Sequence, residues 1–337
     1  MGRHAGGRGL SRRRDLDEDD VRIRPGRGSR PRTRTRPQHA EAESGFVIAV
    51  DRGRFTCVVG GRTVTAMRAR EMGRRAVVVG DRVAIVGDTS GEADALARIV
   101  RIEPRTTTLR RTADDTDPVE RVVVANADQL VVVTALADPP PRTGFIDRCL
   151  VAAYDAGLEP LLCLTKADLA TPDELLRLYG DLDVAAVTTQ QDVDPVELRE
   201  RLHDRVSAFI GHSGVGKSTL VNRLVPDAYR RIGIVNEVTG RGRHTSSSAV
   251  ALALPGGGWV VDTPGVRSFG LAHVRPADVL AAFLDLVEGA RDCPAGCEHM
   301  AEADGCTLDA WVRAGHATAA RLQSYRRLLG ARLAEPD

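Results

Sequence analysis

Gly211-His-Ser-Gly-Val-Gly-Lys-Ser218 is the stretch that decides the fold, because it has the spacing GxxxxGK[ST]. Glycines at 211, 214 and 216 let the backbone turn its N–H groups inward, onto an anion, and the helix that follows adds its positive end. The flanking sequence suits this reading. RVSAFIG (205–211) reads as a strand entering the loop, and KSTLVNRL (217–224) reads as an amphipathic helix leaving it. The loop residues Gly211, His212, Ser213, Gly214, Val215 and Gly216 are expected to cradle phosphates. Lys217 is expected to reach the β- and γ-phosphate oxygens, Ser218 to ligate Mg²⁺, and Thr219 to lie beside them.

A phosphate loop of this kind serves ATP and GTP alike, so the base must be read elsewhere. The run PLLCLT (160–165) reads as a strand and ends in Thr165-Lys166-Ala167-Asp168, the [NT]KxD form. The Asp168 carboxylate can accept hydrogen bonds from guanine N1–H and its 2-amino group. Adenine offers neither, which would leave the carboxylate unpaired at a cost of roughly 1–3 kcal/mol. The stem of Lys166 is expected to lie along the base plane. Thr165 stands where asparagine is commoner, and its hydroxyl is expected to tie the two loops less firmly. Thr188 and Thr189, ending the next strand, are candidates for the backbone contact to the guanine O6.

Asp262-Thr-Pro-Gly265 follows the strand GWVV (258–261). Asp262 is expected to hold Mg²⁺ through water, and the Gly265 N–H to sense the γ-phosphate. Between this motif and the phosphate loop lies Gly240-Arg-Gly-Arg-His-Thr-Ser-Ser-Ser248, where a switch loop belongs. Thr245 is the choice to complete the Mg²⁺ shell, with Ser246 the alternative. Val266 follows Gly265 and cannot orient a water, so His244 becomes the catalytic candidate beside Lys217. The motifs run base loop, phosphate loop, switch, then DTPG, a rotation of the usual order. The DTPG segment therefore leads directly into the C-terminal region, where a change at the γ-phosphate can act on an appended domain.

Working outward, QLVVVTAL (129–136), FIDRCLVAAYDAG (145–157), TPDELLRLYG (171–180, opened by Thr171), VAAVTT (184–189) and DPVELRERLHD (194–204) alternate strand with helix. This predicts a parallel sheet covered on both faces. Upstream, five Val-, Ile- and Thr-rich runs at 45–50, 55–59, 62–67, 76–86 and 95–102 predict a small closed barrel such as an OB-fold. Downstream, Cys293, Cys297, His299 and Cys306 form the complete ligand set of a structural Zn²⁺ site. Helices are expected at 277–289 and 317–333, with Arg321, Arg326 and Arg327 forming a basic face. Cys57, Cys149 and Cys163 are isolated in apolar surroundings and read as buried packing groups.

The fold class is thus multidomain α/β. Residues 1–44 carry twelve arginines against seven acidic residues, an excess of five, and read as a disordered tail. Residues 45–105 are the barrel, 106–273 the nucleotide-binding domain and 274–337 the helical zinc domain. Only Lys166 and Lys217 among 47 basic residues are lysines, and both fall inside nucleotide motifs. No apolar run or leader suggests a membrane, so a cytoplasmic protein is expected.

Together the barrel, TKAD, GHSGVGKST, GRHTSS, DTPGVRSFGL and the CCHC cluster resemble the ribosome small-subunit-dependent GTPase A family (RsgA, also called YjeQ) over about residues 45–335. The zinc ligands are spaced x3 then x6 where that family usually has x4 then x5, with the same overall span. The resemblance implies a circularly permuted GTPase domain, an OB-fold and a zinc domain. It implies Mg²⁺ with GTP, partners in the 30S subunit and its 16S rRNA, activation by 30S, a role in late 30S maturation, and a monomer. It also supports His244 as a catalytic contributor. Two other classes compete: a non-enzymatic RNA-binding module holding GTP as a structural ligand, which Val266 favours, and an ATP-dependent enzyme, which Asp168 opposes.

Overall fold

The computed structural model describes residues 39–73, 76–92, 94–111, 121–182, 184–226, 228, 249–263, 271, 274–301 and 303–333. The Arg-rich segment before residue 39 lies outside them, as do Ser246 and Val266.

Strands β1 (Glu43–Asp51), β2 (Arg54–Val59), β3 (Arg62–Arg68), β4 (Arg82–Gly87) and β5 (Ala97–Ile102) form the expected barrel. It runs β1-β2-β3-β5-β4 and closes by pairing β4 back to β1. Alternate residues point inward. Val47, Cys57, Val64, Ile85 and Ile99 fill the centre with no exposed surface. The run expected as one strand over 76–86 is a strand only from Arg82. Gly80 breaks it with φ +89° because the backbone packs onto Ala125, where an added Cβ would lie 2.0 Å from the Ala125 carbonyl oxygen. Asp81 fixes the turn, accepting from the Val78 N–H at 2.8 Å and from Arg105 at 2.7 Å. A hairpin of β6 (Thr108–Arg111) and β7 (Arg121–Ala125) then leads out of the barrel. It was not anticipated from sequence.

The second sheet holds β8 (Gln129–Ala135), β9 (Glu159–Thr165), β10 (Ala185–Thr188), β11 (Val206–Ile210), β12 (Val250–Ala253) and β13 (Trp259–Asp262) in the order β10-β9-β8-β11-β13-β12. Only β12 is antiparallel. A single pairing, Ala49 with Val250, joins this sheet to the barrel. Helices α1 (Thr143–Ala156), α2 (Asp173–Tyr179), α3 (Val196–Leu202) and α4 (Lys217–Leu224) connect the strands. Period-two alternation assigns each strand residue to a face. Leu130, Val132 and Leu162 belong to the core that includes Ile146 and Leu150 of α1. Val131, Val133 and Leu161 belong to the core that includes Leu198, Leu220 and Val221. Burial on both faces explains why these strands read as unbroken apolar runs. Gly157 ends α1 in the left-handed conformation, as its position implied. Thr171 does not cap α2, because the residue before that helix is Pro172.

The C-terminal segment differs more. The helix expected over 277–289 is two short helices, α5 (Pro276–Leu280) and α6 (Leu284–Gly289). The chain breaks so that Phe283 can enter the core, packing 6.2 Å from Tyr154 and 5.2 Å from Tyr325. α7 (Leu308–Arg313), which the sequence did not reveal, precedes α8 (Ala319–Leu333). The three arginines expected as a basic face are internally paired. Arg321 binds Asp285 at 2.7 Å, Arg326 binds Asp309 at 2.6 Å, and Arg327 binds Asp147 of α1 at 3.1 Å. Burial pushes the Cys57 and Cys163 thiols up to about 12 and Cys149 well above its ordinary value, so all three stay protonated packing groups. Among the described residues, no helix is long and apolar enough to cross a membrane.

Asp147 is 4% exposed, and burial raises its pKa although Arg327 pulls it down. Removing Arg327 strands this carboxylate. Arg327→Met is expected to cost about 3 kcal/mol in urea unfolding at neutral pH. Because the folded-state pKa of Asp147 is raised, its charged form is the unfavourable one. Part of the loss should return as pH falls toward that pKa, and Asp147→Asn in the same background should restore it at pH 7.

Candidate active site and metal centre

The C-terminal ends of the parallel strands β9, β8, β11 and β13 lie side by side along one edge of the sheet, which is where open α/β sheets place ligands. The loop after β11 begins at Gly211, where an added Cβ would lie 2.5 Å from the Val133 carbonyl oxygen. Only glycine fits so close to β8. Gly214 (φ +84°) and Gly216 (φ +88°) occupy left-handed conformations, and Gly216 is the N-cap of α4. The loop amides and the first turn of α4 thus share one end of the sheet. Ser218 and Thr219 are exposed there. The Phe145 ring of α1 packs against His212, with centroids 3.9 Å apart.

Lys217 and Asp262 form an ion pair, with side chains 11% and 5% exposed. The lysine after β11 and the aspartate ending β13 therefore face one space, as the phosphate-loop and DTPG readings require. Thr263 anchors the turn after Asp262, its hydroxyl donating to the Phe209 carbonyl at 2.7 Å.

The base loop is held directly to the phosphate loop. The Thr165 hydroxyl, buried at the end of β9, donates to the Val215 carbonyl at 2.6 Å. This short buried bond supplies the tie that asparagine was expected to make better. Lys166 adopts φ +58° and its ammonium donates to the Asp138 carbonyl, in the loop after β8. No sequence signal marked that partner, because a backbone oxygen carries no residue identity. Ala167 donates to the Thr189 carbonyl at 3.2 Å, and Asp168 stands exposed at the tip. The Thr189 N–H donates to Leu164 at 2.8 Å, so that amide is already engaged. His244, Thr245 and Gly265 lie outside the described residues.

The four metal-ligand candidates converge as well. The ligand atoms of Cys293, Cys297, His299 and Cys306 all lie within 4.8 Å of one another. His299 Nδ1 is 3.5 Å from Cys293 Sγ and 3.9 Å from Cys306 Sγ. Tetrahedral zinc with bonds of about 2.0–2.3 Å spaces its donors about 3.3–3.8 Å apart, so the residues fit the ion. Supporting contacts surround them. Thr307 donates its N–H to Cys293 Sγ at 3.4 Å, and Arg326 donates to the His299 carbonyl at 3.0 Å. Four protein ligands would complete the coordination of such an ion and leave no position open for substrate.

The family model of the RsgA GTPase matches residues 102–272. This chain belongs to the RsgA GTPase family. Two relatives, both named small ribosomal subunit biogenesis GTPase RsgA, show the extent of the likeness. That of Chlorobaculum parvum is 38% identical over 278 residues, 80% of this chain and 89% of its own. That of Ectopseudomonas mendocina is 40% identical over 271 residues, 78% of this chain and 76% of its own. The crystal structure of YjeQ from Thermotoga maritima superposes with a TM-score of 0.61 at 26% identity, covering 86% of this chain and 98% of that one. YloQ, described as a circularly permuted GTPase, shares the fold with a TM-score of 0.63 at 22% identity, over 88% and 98%. This chain is therefore a GTP hydrolase with the circularly permuted GTPase fold. A GTPase of this family works with Mg²⁺ and GTP.

Thr165→Val keeps the shape of the side chain but deprives the buried Val215 carbonyl of its donor. GTP affinity should fall about fivefold to tenfold, equivalent to about 1 kcal/mol, in a titration with fluorescent GDP or GTP.

Proposed function

We propose that this GTPase binds immature small ribosomal subunits in its GTP state and leaves after hydrolysis. The names of its relatives support that partner. The observation that carries the nucleotide half is the Thr165–Val215 bond, which sets the base loop and the phosphate loop against one ligand. In this reading the amides of 211–216 and the Lys217 ammonium hold the phosphates. Lys217 exchanges Asp262 for phosphate oxygens, which frees Asp262, with Ser218 and Thr245, for Mg²⁺. Bound Mg²⁺ supplies charge neutralisation on the phosphates. Thr165, Lys166, Ala167 and Asp168 hold guanine, and the backbone at Thr188 and Thr189 flanks its O6. Gly265 reads the γ-phosphate, and His244 positions the attacking water.

The rRNA half rests on the barrel. Arg54, Met67 and Arg98 stand in register across β2, β3 and β5. All three are exposed, and among the described residues neither arginine has an acidic partner. Exposed guanidinium groups on a sheet face suit the phosphates of 16S rRNA. The Cys₃His cluster would hold one structural Zn²⁺ in the C-terminal part. We place the domain limits at 45–105, 106–273 and 274–337, with the segment 1–44 preceding them.

GTP turnover should rise about tenfold or more when purified 30S subunits are added. An unchanged rate would remove the particle from the mechanism. At saturating 30S, His244→Ala should lower turnover about a hundredfold with GTP binding intact. Asp168→Asn should weaken GTP about tenfold to a hundredfold and leave ATP binding where it was.

A further inference from the structure

Phe145 and Asp147 lie two residues apart in the first turns of α1, yet they serve opposite ends of the molecule's chemistry. The Phe145 ring is buried against His212 in the phosphate loop, 3.9 Å between centroids. Asp147 and Arg148, each 4% exposed, hold α8 instead. Asp147 binds Arg327 at 3.1 Å, and Arg148 Nη1 donates to the Ala331 carbonyl at 2.7 Å. Arg327 also lies 5.1 Å over the Tyr179 ring. Burying charges in a helix interface is costly unless they stay paired, so the setting of α1 against α8 is narrowly defined.

The far end of α1 completes a path to the metal cluster. Tyr154 meets Phe283 edge-on, Phe283 meets Tyr325 of α8, and Tyr325 lies 6.4 Å from the ring of the ligand His299. Packed side chains therefore run from the phosphate loop to His299 without passing through residues 262–273. Interiors packed at this density transmit small displacements rather than absorbing them.

We propose that Phe145 is a positioning residue for the phosphate loop and that α1 links its position to the Cys₃His cluster, so that nucleotide and zinc bind interdependently. This rests on the nucleotide assignment made above. A phosphate held by the 211–216 amides restrains His212, His212 restrains Phe145, and the clamp between α1 and α8 carries that restraint to Tyr325 and His299. Linkage makes the effect reciprocal: occupancy of the cluster steadies the loop by the same factor.

The test uses the full chain loaded with zinc. Release of zinc to a chromogenic chelator is timed with and without a saturating non-hydrolysable GTP analogue, and nucleotide occupancy is followed separately with fluorescent GDP. The analogue should slow release about fivefold or more in the wild type. In Phe145→Leu and Tyr154→Leu, which interrupt the path at either end, the ratio should fall to near one, whereas Phe145→Tyr should keep it. Circular dichroism confirms that each variant is folded. Equal release rates in the wild type with nucleotide demonstrably bound overturn the proposal, as does a full ratio in both leucine variants. If fluorescent GDP does not bind the wild type, the nucleotide assignment itself has failed, and this proposal with it.

Discussion

The constraint on which the rest depends is the parallel pairing of β9, β8, β11 and β13, which brings four strand ends to one edge of the sheet. Parallel pairing runs every strand in the same direction, so the loops after them open on the same side. Thr165 and Val215 are 50 residues apart in the chain and Lys217 and Asp262 are 45 apart, yet each pair is in contact because their strands are neighbours or share one neighbour. The site is a property of the sheet. Chain order matters much less.

That explains why permutation leaves the chemistry intact. A strand's place in the sheet is set by which faces it buries, and β11 is apolar toward both layers whatever element precedes it. What permutation changes is the path the chain takes on leaving β13. In this order the segment after Asp262 leads to α5 and the zinc cluster. Of that stretch, Leu271 and Val274 are buried in the core shared with α1.

The charged contacts divide by burial into two kinds. Rim pairs such as Arg101–Glu103 are exposed and add little stability. Asp147–Arg327 and Lys217–Asp262 are mostly buried, so losing one partner is costly while the intact pair is close to neutral. In the second pair that balance lets Lys217 and Asp262 change partners at small net cost. The near absence of lysine elsewhere is consistent with this: an ammonium can change partners without the fixed fork geometry of a guanidinium.

The sequence by itself determined the parts whose chemistry is local. The phosphate loop needs glycines at fixed spacing, the base loop needs a carboxylate three residues after Thr165, and zinc needs three thiols and an imidazole within fourteen residues. Helix α4, most of the barrel strands and the alternation of the second sheet were legible for the same reason, since turn chemistry and periodicity act over a few residues. Only the tertiary structure decided what depends on partners far along the chain. Gly80 interrupts an apparently continuous strand because Ala125 lies against it. Phe283 splits a helix because Tyr154 and Tyr325 surround its pocket. Arg321, Arg326 and Arg327, exposed on any helical reading, are consumed by Asp285, Asp309 and Asp147. The Asp138 carbonyl reached by Lys166 had no signature at all, because backbone oxygens are the same at every position and only the fold selects one.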